Sequence, residues 1–211
     1  MNQHIKVAVI GGTGKAGKYV VKQIVARGFI VRAFVRNPQK LQGIGLVEIV
    51  PGDVLDYDSV LNLFNGCDAV ISTLGQTKGE DPVFSSAAKN IVKAMEVFQI
   101  KRYIVLTGLT LDTESDKKGL KTKIQSMLMR LLFRKIILDK QGEYKILLES
   151  NLDWTIVRIP FLELTDNQKI IETSLEDCKG SGIGSSDLAI FIVDQISDKT
   201  YFRKAPFIWN K

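Results

Sequence analysis

Residues 5–17 read Ile-Lys-Val-Ala-Val-Ile-Gly-Gly-Thr-Gly-Lys-Ala-Gly, and this stretch decides the fold. Ile5 to Ile10 is a β-branched-rich run, the composition of a strand covered on both faces. Glycines then stand at 11, 14 and 17, a G-x-x-G-x-x-G spacing. Lys15 to Arg27 follows with apolar residues at 16, 20, 21, 24 and 25, one face of a helix, and Gly28 closes it. A strand, a glycine turn and a helix in that order make a cradle for a diphosphate. Gly11 permits the tight turn, Gly14 lets the backbone approach the phosphates, and Gly17 lets the helix lie near the strand. The helix N-terminus offers unpaired N–H groups and a partial positive charge.

Outward from this stretch the chain alternates. Strands are expected at 30–35, 46–50, 69–72, 102–107 and 154–158, with a short last strand at 205–209. Helices are expected over 56–65, 82–99 and 124–150, the last in two pieces broken near Gly142. Ser185-Ser186-Asp187 reads as the cap of a helix running to about residue 196. Residues 161–185 read as an irregular excursion with at most a short strand at 169–173. No linker, repeat or low-complexity stretch divides the chain, so residues 1–211 are expected to form a single α/β domain, a parallel sheet with helices on both faces.

Composition narrows the chemistry. At 45% hydrophobic and 25% charged, the 211 residues match an ordinary globular protein. No apolar run approaches the ~18 residues of a membrane span, and Met1 to His4 lead straight into a strand, so a cytoplasmic protein without a secretory signal is expected. Cys67 and Cys178 lie far apart, which fits a reducing compartment. With His4 the sole histidine, there is no His-Glu-x-x-His, no Cys/His zinc constellation and no Ser-His-Asp triad, and no metal is expected. Residues 117–145 hold nine Lys or Arg against Asp139 and Glu143, more than the whole net charge of +6. Such a segment can bind nucleic acid or an anionic membrane surface, or be a solvated helix face that attracts a polyanionic cofactor. No basic–aromatic interleaving supports nucleic acid.

Which dinucleotide the cradle takes depends on the end of the second strand. A site for NAD places an acid there to hold the ribose 2′-hydroxyl. Here residues 30–37 read Ile-Val-Arg-Ala-Phe-Val-Arg-Asn, with no acid. Arg36 stands where the strand stops and Lys40 one helical turn beyond, which favours NADP over NAD because a guanidinium pairs with a 2′-phosphate. Asp53, after the third strand, can bond an adenine amino group or cap a turn. Ser72-Thr73-Leu74-Gly75 follows the fourth strand, where backbone passes under the ribose and nicotinamide.

The stretches VAVIGGTGKAGKYV, AFVRNPQKL, PGDVLD, GCDAVISTLG, KRYIVLTG, LESNLDWTIVRIP and SSDLAIFIVDQI together resemble the atypical short-chain dehydrogenase/reductases. Within them they are most similar to the NmrA-like, NAD(P)H-binding group that includes NADPH-dependent flavin reductases (biliverdin-IX-beta reductases). The resemblance implies a Rossmann-like, doubly wound parallel sheet. It implies that Gly11, Thr13, Gly14, Lys15, Ala16 and Gly17 serve the diphosphate and Arg36 the 2′-phosphate. Asp53 and Val54 would flank the adenine, and Thr73, Leu74 and Gly75 the ribose. Thr107 would lie beside the nicotinamide, with Pro160 and Phe161 at its carboxamide.

The departure from the family concerns catalysis. The family's Tyr-x-x-x-Lys pair lowers a tyrosine pKa for proton transfer. No tyrosine here has a lysine four residues on. The resemblance places Lys140 at the lysine position and Ile136 at the tyrosine position. Tyr144, one turn after Lys140, could form a reversed pair. Thr107, Lys140 and Tyr144 are therefore the catalytic candidates. Two functions fit: a reductase that passes hydride from NADPH to a small-molecule acceptor such as a flavin or quinone, or a non-catalytic NADP-binding redox sensor. An isomerase or epimerase using bound NAD is third, because it needs the missing acid–base pair. Nothing in the sequence decides between a monomer and a homodimer.

Overall fold

The computed structural model describes residues 5–37 and 47–211. Lys40 and Leu46 therefore lie outside the described residues. The sheet is built from β1 (Lys6–Ile10), β2 (Ile30–Val35), β3 (Val47–Pro51), β4 (Ala69–Ser72), β5 (Arg102–Gly108) and β6 (Asp153–Ile159). The excursion after β6 contributes β7 (Phe161–Glu163), β8 (Ile171–Ser174) and β9 (Gly182–Gly184), and the chain ends with β10 (Phe207–Asn210). The order across the sheet is β3-β2-β1-β4-β5-β6-β10-β8. All neighbours are parallel except β10 and β8, which run antiparallel, while β7 and β9 pair as a separate parallel ribbon. The order reverses between β1 and β4, and a ligand of an open α/β sheet binds at that crevice, beyond the strand ends.

Alternation along the strands fills two cores. On β1, Ala8 and Ile10 face one cluster and Val7 and Val9 the other. On β6, Trp154 and Ile156 face the first, Val157 and Ile159 the second. A strand buried on both faces is mostly apolar, as the sequence suggested, and its polar exceptions on β6, Thr155 and Arg158, are hydrogen-bonded. Helices α1 (Gly17–Ala26) and α6 (Ser185–Asp194) cover the second cluster; α2 (Tyr57–Phe64), α3 (Phe84–Val97) and α5 (Arg134–Glu149) cover the first. Gly28 (φ +76°) ends α1 as expected: its N–H donates to Val25 O at 2.9 Å, and Phe29 N–H to Ile24 O at 3.2 Å. Helix α4 (Leu120–Leu132) lies outside this layering, against α5.

Two expectations about helices are corrected. The break in 120–149 falls at Phe133, between α4 and α5, not near Gly142. Gly142 lies within α5, where a Cβ would come 3.2 Å from Ser85 Cβ, so this glycine serves the close approach of α5 to α3. Residues 185–187 do not cap α6: the N-cap is Gly184, with no side-chain cap bond. Ser185 Oγ instead donates toward Glu163 O (3.1 Å) and Thr165 O (3.2 Å). Asp187 Oδ2 accepts from Lys169 N–H (3.1 Å) and Asn210 Nδ2 (2.8 Å). Both side chains tie the excursion to the sheet.

Beyond the end of β5, the loop before α4 is held by buried cations. The Arg158 guanidinium is fully buried, 3.5 Å from the Phe207 ring centroid. It donates to Ala205 O (2.8 Å), Leu175 O (3.2 Å) and Asp116 Oδ1 (2.6 Å). Lys118 Nζ donates to Leu109 O and Leu111 O, both at 3.0 Å, and to Asp112 Oδ1 at 2.9 Å. A buried cation is tolerable when carbonyls and a carboxylate take its protons, and here those partners fix the loop's course.

Candidate functional site

The turn after β1 is held by contacts only glycine allows. Gly11 has φ +79°, and a Cβ there would sit 2.7 Å from Thr73 O. A Cβ on Gly17 would sit 2.1 Å from Gly11 O, so the start of α1 is pressed onto the turn. Thr73 completes the junction: its N–H and its hydroxyl both donate to Ile10 O, at 2.9 and 3.1 Å. The ends of β1 and β4 are thus stapled at the switch point. Gly11, Thr13, Gly14, Lys15 and Ala16 line the cleft that opens there, while Gly17 is buried behind them. Lys18 N–H donates to Gly14 O at 3.2 Å and Val20 N–H to Ala16 O at 3.1 Å, so α1 grows directly out of this lining, and the positive end of its dipole attracts phosphate.

The cleft encloses about 800 Å³ and runs along the carboxyl ends of the parallel strands. That falls within the usual range for organic ligands and cofactors. At one end, Arg36 reaches across the mouth: Nη1 lies 3.1 Å from Glu80 Oε2, and Nη2 donates to Thr77 Oγ1 at 2.9 Å. Asp53 and Val54 line the same end. Asp53 Oδ1 accepts from Leu55 N–H at 2.9 Å, so the carboxylate closes a turn while facing the cleft. Thr73, Leu74 and Gly75 form the floor at the switch point.

At the other end, Thr107 and Pro160 line the cleft beside Lys140. Lys140 Nζ donates to Glu143 Oε2 at 2.9 Å and lies 3.8 Å from the Phe84 ring centroid. Glu143 is buried, and burial pushes its carboxyl above the usual carboxylate range, with Lys140 opposing the shift. Phe84, Ile136 and Ile137 make the rest of this wall apolar. Asp139, the next residue before Lys140, accepts from Phe84 N–H at 2.6 Å and from the Ser85 hydroxyl, which locks the start of α3 against α5. Ile136, at the position of the family's tyrosine, faces the cleft with no proton to give.

Two candidates are placed elsewhere. Tyr144 does not line the cleft: it packs edge-on against Trp154, with ring centroids 5.8 Å apart, and burial raises its phenol pKa. The step of four residues puts Tyr144 on the inward face of α5, whereas Lys140 bends toward the cleft. Phe161 is exposed on the β7–β9 ribbon and takes no part in the lining. Conversely, Phe84 and Ile137 belong to the site without a sequence signal of their own, and Glu80 joins them. Glu80 lies in an irregular loop, and the other two read as ordinary helix residues.

The model of a family described as NAD(P)H-binding matches residues 11–199. The chain is 26% identical over 224 residues to a chloroplastic divinyl chlorophyllide a 8-vinyl-reductase of Arabidopsis thaliana, covering 92% of this chain and 51% of that protein. It is 28% identical over 178 residues to the chloroplastic protein TIC 62 of Pisum sativum, covering 72% of this chain and 32% of that one. The chain thus spans from about a third to about half of these relatives. Among solved structures, an anaerobillin reductase of Escherichia coli O157:H7 superposes with a TM-score of 0.81 at 20% identity, over 97% of both chains, a likeness of fold.

Proposed function

Because the chain belongs to the NAD(P)H-binding family, we propose that it is an NADPH-dependent reductase that passes hydride to a conjugated acceptor such as a flavin or quinone. One observation carries this reading. The far end of the cleft sets a cation, Lys140, beside an apolar wall, with no tyrosine or histidine in the lining among the described residues. Reducing a carbonyl to an alcohol needs a proton donor aimed at the oxygen. A conjugated ring spreads the incoming charge and can take its proton from solvent after it leaves the cleft, so a wall of this kind suffices.

The cradle fits a dinucleotide. A turn without Cβ atoms at Gly11 and Gly17 and the start of α1 suit the diphosphate, and the Arg36 guanidinium suits a 2′-phosphate. When bound, the nicotinamide supplies the hydride. The chain's own part is to bind and orient. Thr107 positions the ring or acceptor, Pro160 bounds the carboxamide side, and Phe84, Ile136 and Ile137 exclude water. Lys140 places positive charge beside the acceptor as negative charge develops. One relative is by name a vinyl-reductase, which supports reduction as the reaction.

The test is loss of NADPH absorbance with riboflavin, FMN and small quinones. Turnover is expected with at least one of them, and Lys140→Met is expected to lower kcat by about tenfold to a hundredfold. The alternative of a redox sensor draws on the pairing of Lys140 with Glu143, which already neutralises the cation. Binding of NADPH without turnover of any acceptor would decide for the sensor. No binding of either nicotinamide nucleotide would end both readings.

A further inference from the structure

Helix α4 is built the wrong way round for a helix that packs on a protein. Leu120, Ile124, Met127, Leu128, Leu131 and Leu132 are each more than half exposed, whereas the polar Thr122 and Ser126 are buried. Thr122 Oγ1 donates to Cys178 O at 3.2 Å, which fixes the polar side inward. From Leu120 the apolar positions follow at steps of four, three, one, three and one, so they share one stripe of the helix. Lys121 and Lys123 are exposed beside that stripe and Arg134 stands just beyond the helix end, while Arg130 is ion-paired with Asp112. No Asp or Glu occurs from residue 117 to residue 138.

We propose that α4 docks the protein on an anionic lipid surface, its apolar stripe sunk among the acyl chains and its lysines and arginines at the phosphates. An exposed apolar patch of this extent marks an interaction surface. An apolar stripe bordered by cations is the pattern of a helix lying in the membrane interface, where Lys and Arg stems reach up to the headgroups. Charge selects this occupant over a second copy of the chain. A two-fold dimer sets the same patch against itself, which here brings Lys121 and Lys123 against their copies with no carboxylate between residues 117 and 138 to neutralise them. The stripe is leucine, isoleucine and methionine, side chains that dissolve in acyl chains without a shaped partner. No described helix is long and apolar enough to cross a membrane, so α4 lies on the surface.

The test is co-flotation of the full chain with phosphatidylcholine vesicles and with vesicles of equimolar phosphatidylcholine and phosphatidylglycerol. Flotation is expected with the anionic vesicles, weakening steeply with added salt, and little with phosphatidylcholine alone. Leu128→Asp with Leu131→Asp should abolish it without lowering the melting temperature, since both side chains are exposed. Lys121→Gln and Lys123→Gln, which leave the stripe intact, should each weaken it about fivefold. Equal flotation with both vesicle types, or none with either, overturns the proposal. So does a dimer in solution that Leu128→Asp with Leu131→Asp dissociates, which would make α4 a self-interface. Retention on a polyglutamate resin without flotation overturns it in favour of an acidic protein partner. None of these readouts depends on nucleotide binding or turnover.

Discussion

Arg36 Nη1 lies 3.1 Å from Glu80 Oε2, so an ion pair spans the mouth of the cleft between the end of β2 and the loop leading to α3. Both side chains are at least half exposed, and a pair of that kind contributes little to stability. A 2′-phosphate would compete for the same guanidinium. Arg36→Ala is expected to weaken NADP about tenfold to a hundredfold and NAD by less than about twofold. Glu80→Gln should tighten NADP by about two- to fivefold, since the carboxylate no longer holds the guanidinium or repels the phosphate. Calorimetric titration with both nucleotides reads this. Equal losses for NAD and NADP in Arg36→Ala would show that this guanidinium does not read the 2′-phosphate.

Gly17 and Gly14 stand three residues apart in one motif but answer to different constraints. A Cβ on Gly17 meets Gly11 O at 2.1 Å inside the junction, whereas one on Gly14 meets the same oxygen at 3.2 Å and faces the cleft. Gly17→Ala should destabilise the fold by about 2 kcal/mol. Gly14→Ala should stay within about 1 kcal/mol of wild type yet lose nucleotide affinity, because its methyl occupies the approach to the diphosphate. Urea unfolding beside nucleotide titration separates the two. The reverse ranking in stability would refute the placement.

Lys140 and Glu143 form a nearly buried pair, with side chains 12% and 5% exposed. Lys140→Met leaves the carboxylate buried and unpaired, and at about pH 8 should cost about 3 kcal/mol. Burial already raises the Glu143 pKa above 4.5, and losing Lys140, which opposes that shift, raises it further. A carboxyl raised in the folded state binds its proton more tightly there than in the unfolded chain. Its contribution is fully present below the unfolded pKa and is lost as pH rises through the folded one. The penalty of Lys140→Met should therefore shrink as pH falls and Glu143 takes up its proton. A penalty independent of pH would show that Glu143 is not the group left unpaired.

Burial pushes the Cys67 thiol up to about 12 and the Cys178 thiol up to about 11, and both are almost wholly covered. The thiolate is the reactive species. At about pH 8 both should react with an aromatic disulfide reagent more than about a hundredfold slower in the native protein than in urea. Rapid labelling of either in the native state would contradict its burial.

The chain's alternation could be read because the central parallel strands bury both faces and so run apolar for most of their length, as Val7 to Ile10 and Ala69 to Ile71 do. The errors share one cause. Gly142 carried the local mark of a break, and Ser185 and Asp187 the local mark of a cap, but each is spent on a partner distant in the chain: Ser85 for Gly142, Glu163 and Thr165 for Ser185, Asn210 for Asp187. The break at Phe133 carried no glycine or proline to announce it. Tyr144 was one helical turn from Lys140, yet the sheet packs it against Trp154.

The amino-acid sequence by itself determined the strand–turn–helix cradle at Gly11 to Gly17, the order of the strands along the chain and the missing tyrosine acid. All of these follow from backbone freedom, side-chain periodicity or residue identity. Tertiary structure alone decided that Glu80 meets Arg36, that Phe84 and Ile137 wall the cleft, that Glu143 is buried beside Lys140, and that α4 shows its leucines to the outside. Period and spacing fix which residues share a face of one element. What that face meets depends on how the elements pack across the sheet, which brings together groups as far apart in the chain as residues 36 and 80.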